Sequence, residues 1–282
     1  MRLHFAHVVC LGGGMVGQLL QLSVPSVRLL DSRRQAPKDH LDTRVGPQYL
    51  WEPIPDCPSE RFWVRTLVDS CPPTRASILA YKKKIGKEQD GGDWGLQFQP
   101  KMVGWRSELP VPRVEYNRQV TKILVTERSL LFRDGSRIDY DLLLSTIPLP
   151  AFIALCDVPP LVHTPFRSDP IHMLSEKDNV PVRGMIFNYI SRPEVPFYRE
   201  TYVEDRIYYE SLTEITATKF KHSDPVILNP GKIHPHAESE RIVKGLQHFG
   251  IHCFGRYGTW RPDELAHQTW QQIAAWRMEV DT

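Results

Sequence analysis

Gly12, Gly14 and Gly17 stand in a G-x-G-x-x-G spacing near the start of the chain, with Gly13 between the first two. An acid, Asp31, follows 19 positions after Gly12. Glycines so placed let a backbone turn sharply and let a large group lie against it. The flanking residues say which elements must hold them. "HVVCL", residues 7–11, fits a short strand buried on both faces. "MVGQLLQL" puts Met15, Val16, Leu19, Leu20 and Leu22 on the buried face of a helix that ends before Pro25. "VRLLD" reads as a second strand closing at Asp31. Strand, glycine turn, helix, strand and acid make a βαβ unit for a dinucleotide. Gly12 permits the turn, Gly14 admits a pyrophosphate to the backbone, and Gly17 lets the helix pack closely. Met15 and Val16 open the helix, where free N–H groups and a partial positive charge suit phosphate. Asp31 has about the spacing expected of an acid that hydrogen-bonds a ribose. Arg33 and Arg34 follow and can meet phosphate or adenine. The βαβ unit alone does not separate NAD from FAD.

The chain has 282 residues, enough for one large domain or two interleaved ones. Basic residues number 35 and acidic 33, a balance that argues against a dedicated nucleic-acid-coating surface. The 24 prolines point to loops and edge strands rather than a helical bundle. Cys10, Cys57, Cys71, Cys156 and Cys253 are scattered, without a C-x-x-C. They read as reduced thiols of a cytoplasmic protein, with no structural zinc. The glycine motif begins too early to leave room for a removable leader, and no apolar run is long enough to span a membrane.

The middle block, "VEYNRQVTKILVTERSLLFRDGSRIDYDLLLSTIPLP", reads as strands over "VTKILV", "SLLFRDG" and "SRIDYDLLLSTIP". With its F-x-D-G hairpin and "YDLLLSTIPLP", it resembles the FAD-binding domain shared by flavin amine oxidases and UDP-galactopyranose mutases. "GIHCFGRYGTWRPDELAHQTWQQIAAW" resembles the segment that returns the chain to the flavin in that superfamily. The resemblance implies FAD as cofactor. It implies that Gly12, Gly13, Gly14, Met15, Val16 and Gly17 cradle the pyrophosphate, that Asp31 takes the ribose, and that Ser32 and Arg33 lie towards adenine. It further implies that Val120 reads adenine with its backbone and that Thr146 and Pro148 line the cofactor. Gly255, Arg256 and Trp260 are implied near the flavin, and the backbone of Leu265 to His267 at its pyrimidine edge. Plainer alternatives stand beside these: Val120 as core, Arg256 as a structural cation, Trp260 as packing.

Two insertions complete the expectation. "SERFWVRTLVDSC" opens like a helix with Ser59 as N-cap, and the following "YKKKIGKEQDGGDWGLQFQP" is loop-like. Lys82, Lys83, Lys84 and Lys87 form either an attractor for an anionic, even nucleic-acid-linked, substrate or a solvated face. The second insertion is strand-rich, in "VRGMIFNYISRP" and "DRIYYESLTEITATKF". Tyr208 and Tyr209 must point to opposite faces there, and Tyr208 is a candidate catalytic residue. Mutase-like relatives often carry an Arg in this sheet; here Glu210 stands in the comparable stretch. Lys232 is the other catalytic candidate, beside an alternative as a surface lysine. His234 and His236 form an H-x-H without a third ligand and read as exposed loop histidines. The expected fold is α/β, a Rossmann-like FAD-binding domain of residues 1–35, 114–150 and 226–282. A cap (36–113) and a smaller β-rich substrate region (151–225) interrupt it. The expected activity is FAD-dependent oxidation of a C–N bond in a small or macromolecule-linked amine. The alternatives are a flavin-dependent nucleotide-sugar mutase and a flavin-binding partner protein without turnover.

Overall fold

The computed structural model describes residues 7–34, 50–86, 98–158, 165–215 and 226–281. The first elements are β1 (Val8–Leu11), α1 (Met15–Ser23), β2 (Arg28–Leu30), β3 (Ser59–Val68), α2 (Arg75–Lys84) and β4 (Lys101–Ser107). Then come β5 (Val114–Glu115), β6 (Val120–Leu124), β7 (Ser129–Phe132), β8 (Arg137–Asp139), β9 (Leu142–Ser145) and α3 (Leu149–Leu155). The last are β10 (Ser168–Tyr189), β11 (Arg199–Ser211), β12 (Val226–Ile233), α4 (Ser239–Gln247), β13 (Ile251–Cys253), α5 (Gly255–Gly258) and α6 (Ala266–Asp281). Two compact units divide the chain. Unit 1 holds Met1–Lys38, Glu108–Ser168 and Ile233–Thr282; unit 2 holds Asp39–Ser107 and Asp169–Lys232. Among the described residues no helix is long and apolar enough to cross a membrane.

Unit 1 is built on a five-stranded sheet in the order β13-β9-β1-β2-β5, with every pairing parallel. Parallel strands need crossovers on their faces and are buried on both sides, which is why β1 and β9 are buried throughout and apolar but for Ser145. Leu19 and Leu20 of α1 are likewise buried, as the helical spacing predicts. Val9, Leu30, Leu143, Phe152, Ile251 and Trp260 belong to one core cluster. A three-stranded antiparallel sheet, β6-β7-β8, flanks it in sequence. The single strand expected over "SRIDYDLLLSTIP" is two. The backbone N–H of Asp141 bonds the carbonyl of His7, while its carboxylate accepts the N–H of His7 at 2.9 Å. Those bonds mark where β8 leaves the antiparallel sheet and β9 joins the parallel one.

Unit 2 is a sheet in the order β11-β10-β3-β4, with β12 also on β10. The helix expected from Ser59 is instead β3, paired with β4 in antiparallel and with β10 in parallel. The reason is a period of two: Val64, Thr66 and Val68 are buried while Arg61, Trp63 and Arg65 are exposed. The helix comes later, as α2, and its last turn runs into the stretch from Tyr81 expected to be loop-like. Thr74 and Ser77 cap α2 reciprocally, each side chain accepting the other's backbone N–H at 3.1 and 3.0 Å.

The lysines at the end of α2 are not a uniformly solvated face. Lys82 is buried. Lys84 donates to the carbonyls of Arg192, Val195 and Phe197 at 2.8, 2.8 and 2.7 Å. Three acceptors match the three donors of an ammonium, so Lys84 is spoken for. Lys83 is exposed, and Lys87 lies outside the described residues.

Alternation on β11 sends Tyr208 into the cluster of Val64, Met102, Met173 and Phe187 and Tyr209 into a separate one with Leu174 and Ile215. Beside them Glu210, 4% exposed, accepts from the Tyr198 hydroxyl at 2.6 Å and from the Arg199 guanidinium. A buried charge is tolerated only when such donors surround it. Truncating Glu210 to Ala leaves Arg199 and Tyr198 without their acceptor. The expected loss is about 3 kcal/mol of stability, read by urea unfolding with circular dichroism.

Candidate functional site

The parallel register lines up the carboxyl ends of four strands. Leu11 lies opposite Leu30 and Ser145, and Ser145 opposite Cys253. The next residue of each strand therefore comes to one edge of unit 1: Gly12, Asp31, Thr146 and Phe254. From β1 the chain goes to β2 on one side, while β9 lies on the other. Such a reversal of strand order opens a crevice at the carboxyl ends, the place where open α/β sheets bind ligands.

Close approach at this edge dictates the glycines. Gly12 has φ of +110°, and a side chain on it would stand 2.3 Å from the Thr146 hydroxyl. A Cβ on Gly17 would sit 2.1 Å from the carbonyl oxygen of Gly12, so any larger residue drives α1 away from the turn. Gly14 differs: a Cβ there meets nothing within 4 Å, and its φ of −76° suits any residue. Gly14 is the N-cap of α1, with no side-chain capping bond and no acid in the first turn. The N–H groups of Met15, Val16 and Gly17 begin the helix without an i−4 carbonyl inside it. Open space over a glycine, beside an uncapped helix start, fits a diphosphate.

The acid is where the spacing puts it. Asp31 Oδ2 accepts the Gly13 N–H at 2.9 Å, tying the glycine turn to the end of β2. Arg33 reaches the same carboxylate with Nε at 2.9 Å and Nη2 at 2.6 Å, and its backbone N–H adds a bond of 2.8 Å. Burial opposes charge on Asp31. The bonds from Arg33, from its N–H and from that of Gly13 outweigh it and hold the carboxyl below its ordinary value.

On the other flank, Thr146 Oγ1 donates to the carbonyls of Leu11 and Gly12 at 3.1 and 3.3 Å. Pro148 is the N-cap of α3. Gly255, at φ of +80°, lets the Val16 side chain lie against its backbone. The first turn of α1, the Thr146 loop and the "GRYGTW" turn thus meet in unit 1.

The remaining candidates have defined places. Arg256 is exposed and donates to the Pro262 carbonyl, Nε at 2.7 Å, bracing its own turn. Trp260 is 2% exposed, packs edge-on against Phe166 and donates to the His234 carbonyl at 3.0 Å. The N–H of Leu265 is taken by the Gln268 side chain at 2.8 Å at the start of α6. His267 follows in the first turn of that helix. Val120 starts β6 and pairs with Phe132. Tyr208 and Lys232 belong to unit 2. There Tyr208 is 3% exposed in the apolar core, and Lys232 donates to the Ile85 carbonyl at 2.5 Å, just after α2.

His236 is not an exposed loop histidine. It is half-buried, stacked on Phe166 at 4.0 Å, and its Nδ1 accepts the Glu238 N–H at 3.3 Å. Among the described residues no group of three metal-ligating side chains forms. Burial pushes the Cys156 and Cys253 thiols up to about 12, so neither supplies a thiolate at neutral pH.

The sequence does not mark two further residues of unit 1. The Arg118 N–H donates to the Asp31 carbonyl at 2.9 Å, and its guanidinium lies 4.1 Å over the Phe132 ring. Its signal was its place just after an edge strand parallel to β2. Glu264 is buried, its two oxygens accepting from Thr259 and Thr269 at 2.7 and 2.6 Å. Nothing in "RPDELAHQ" marks those threonines as partners, since Thr259 lies outside it and Thr269 in the next helix turn.

No protein-family model matches the chain, and no curated protein matches it in sequence. Solved structures match in fold. Reduced UDP-galactopyranose mutase aligns with a TM-score of 0.65 at 12% identity, over 97% of this chain and 95% of that one. The CLA-producing fatty acid isomerase from P. acnes aligns with a TM-score of 0.56 at 12% identity, over 95% and 98%. MibH, a lathipeptide tryptophan 5-halogenase, aligns with a TM-score of 0.52 at 12% identity, over 96% and 66%. The chain therefore has the mixed α/β fold common to these structures.

Two outcomes check the geometry. Gly17→Ala costs about 2 kcal/mol or more, because its clash is with backbone, whereas Gly14→Ala unfolds within about 1 kcal/mol of wild type; urea titration compares them. The Asp31 carboxyl, depressed when folded, stabilises above its unfolded value of about 3.9 and ceases to as pH falls through the folded value. Asp31→Asn is therefore less stable than wild type at neutral pH, and the gap narrows below about pH 4. Unfolding midpoints measured across that range read it.

Proposed function

We propose that unit 1 binds FAD along the carboxyl ends of its parallel sheet and that the protein is a flavin-dependent oxidoreductase acting on a C–N bond of an amine. The observation that carries the cofactor is the meeting of the Gly12–Gly17 turn, Asp31, Thr146 and Gly255 at one sheet edge, with open space over Gly14. The N–H groups of Gly14, Met15 and Val16 hold the diphosphate, and Asp31 serves the ribose. Val120 contributes its backbone to adenine, and Thr146, Pro148 and the Gly255–Trp260 turn line the remainder. Bound FAD supplies a hydride acceptor at N5 of its ring. The protein's own part is to bind, orient and exclude water, because the buried Cys156 and Cys253 thiols are protonated and Lys84 and Lys232 donate to carbonyls.

The amine as substrate rests on the resemblance of "YDLLLSTIPLP" and "GRYGTW" to the FAD-binding domain that flavin amine oxidases share with UDP-galactopyranose mutases, and on Glu210 standing where mutase-like relatives often carry an Arg. A nucleotide-sugar mutase is the second reading, and one observation favours it. Arg199 places a guanidinium in the unit 2 sheet, 5.4 Å over the Phe187 ring, where the sequence drew attention only to Glu210. Glu210 already holds that cation, so an anionic substrate has to compete with it.

The test begins with purified protein mixed with FAD and passed over a desalting column. Wild type retains a yellow chromophore that mass spectrometry identifies as FAD. Gly14→Ala, folded by circular dichroism, retains at least tenfold less. A wild-type protein that stays colourless defeats the cofactor reading. Anaerobic bleaching by amines then separates oxidation from mutase turnover, in which chemically reduced protein rearranges a nucleotide sugar.

A further inference from the structure

The Asp31 carboxylate has about four acceptor positions, and all are taken by this chain. Oδ1 accepts the backbone N–H of Arg33 at 2.8 Å and its Nε at 2.9 Å; Oδ2 accepts the Gly13 N–H at 2.9 Å and Arg33 Nη2 at 2.6 Å. A ribose that approaches this carboxylate therefore finds no lone pair free. The four bonds are unequal in what it takes to break them. Two belong to backbone: Gly13 in the glycine turn and Arg33 itself, whose carbonyl is fixed by the Asn117 N–H at 2.7 Å. The other two belong to one guanidinium, whose side chain is 45% exposed against 9% for Asp31. Rotating that side chain into solvent frees one position on each oxygen, side by side, and leaves the backbone as it is. Two adjacent acceptors match the two donors of a vicinal diol, the 2′- and 3′-hydroxyls of a ribose.

Resting on the nucleotide reading, we propose that Arg33 is an internal competitor for the ribose seat. Its guanidinium fork occupies Asp31 as a ribose diol does, and a ribonucleotide binds by exchange with it. Arg33 is thus a specificity-determining residue that lowers affinity and makes it depend on a complete diol. The exchange breaks one half-exposed ion pair, a cost of at most about 1 kcal/mol, or about fivefold in affinity.

Calorimetric titration of wild type and Arg33→Ala with ADP and with 2′,3′-dideoxy-ADP tests this. Arg33→Ala binds ADP about fivefold more tightly than wild type does, while both bind the dideoxy compound alike. Equal or weaker ADP binding by Arg33→Ala overturns the proposal, and so does an equal gain for the dideoxy compound. So does an absence of ADP binding by either protein. Circular dichroism and thermal melting confirm that the variant is folded, and Arg33→Met, which keeps side-chain bulk, replaces Arg33→Ala if it is not. FAD retention is scored separately. FAD retained with no ADP gain removes the competitor and keeps the cofactor; neither ligand bound removes both.

Discussion

The bond from the Gly13 N–H to the Asp31 carboxylate is the contact on which the site depends. It ties the end of β1 to the end of β2 across the glycine turn. With that turn fixed, α1 must start at Gly14 and run close under Gly12, which only Gly17 allows. The direction of the helix, and so the direction of its free N–H groups, follows from a hydrogen bond and a missing side chain. A carboxylate is well suited to this work. It is an acceptor with several positions, so one residue can brace the turn and still carry other donors.

A site made mostly of backbone has a consequence for sequence. In the proposed FAD site phosphate would be met by N–H groups, and the glycines are needed for space and for φ rather than for side-chain chemistry. Few identities are then fixed outside the turn. Solved structures at 12% identity share this fold over nearly the whole chain. Parallel pairing does the remaining positioning, since in-register strands deliver their next residues to one edge whatever those residues are.

Unit 2 shows a different economy of polar groups. Glu210 is buried in the sheet and satisfied by half-buried Arg199 and Tyr198, and Lys84 ends on three carbonyls. Charged residues that look like substrate contacts in sequence turn out to hold the scaffold. Lys232 also ends on a carbonyl, that of Ile85. Long cationic side chains bury their stems and end on whatever acceptor lies near, which no one-dimensional pattern reveals.

The sequence by itself determined the glycine turn, its helix, the two short strands and the acid, because their order and spacing are local and backbone geometry leaves few alternatives. It also determined that Tyr208 and Tyr209 part to opposite faces, a matter of strand alternation alone. Only the tertiary structure decided that the stretch from Ser59 is a strand. "SERFWVRTLV" satisfies a helix cap at its start and a period of two along its length, and pairing with β4 and β10 selects the second. Only the tertiary structure brought Arg118 to Asp31 and the threonines to Glu264, since those partners meet through strand register and helix packing. Local dihedral preferences are written residue by residue, whereas the partner of a buried charge depends on which distant segment fills the space beside it.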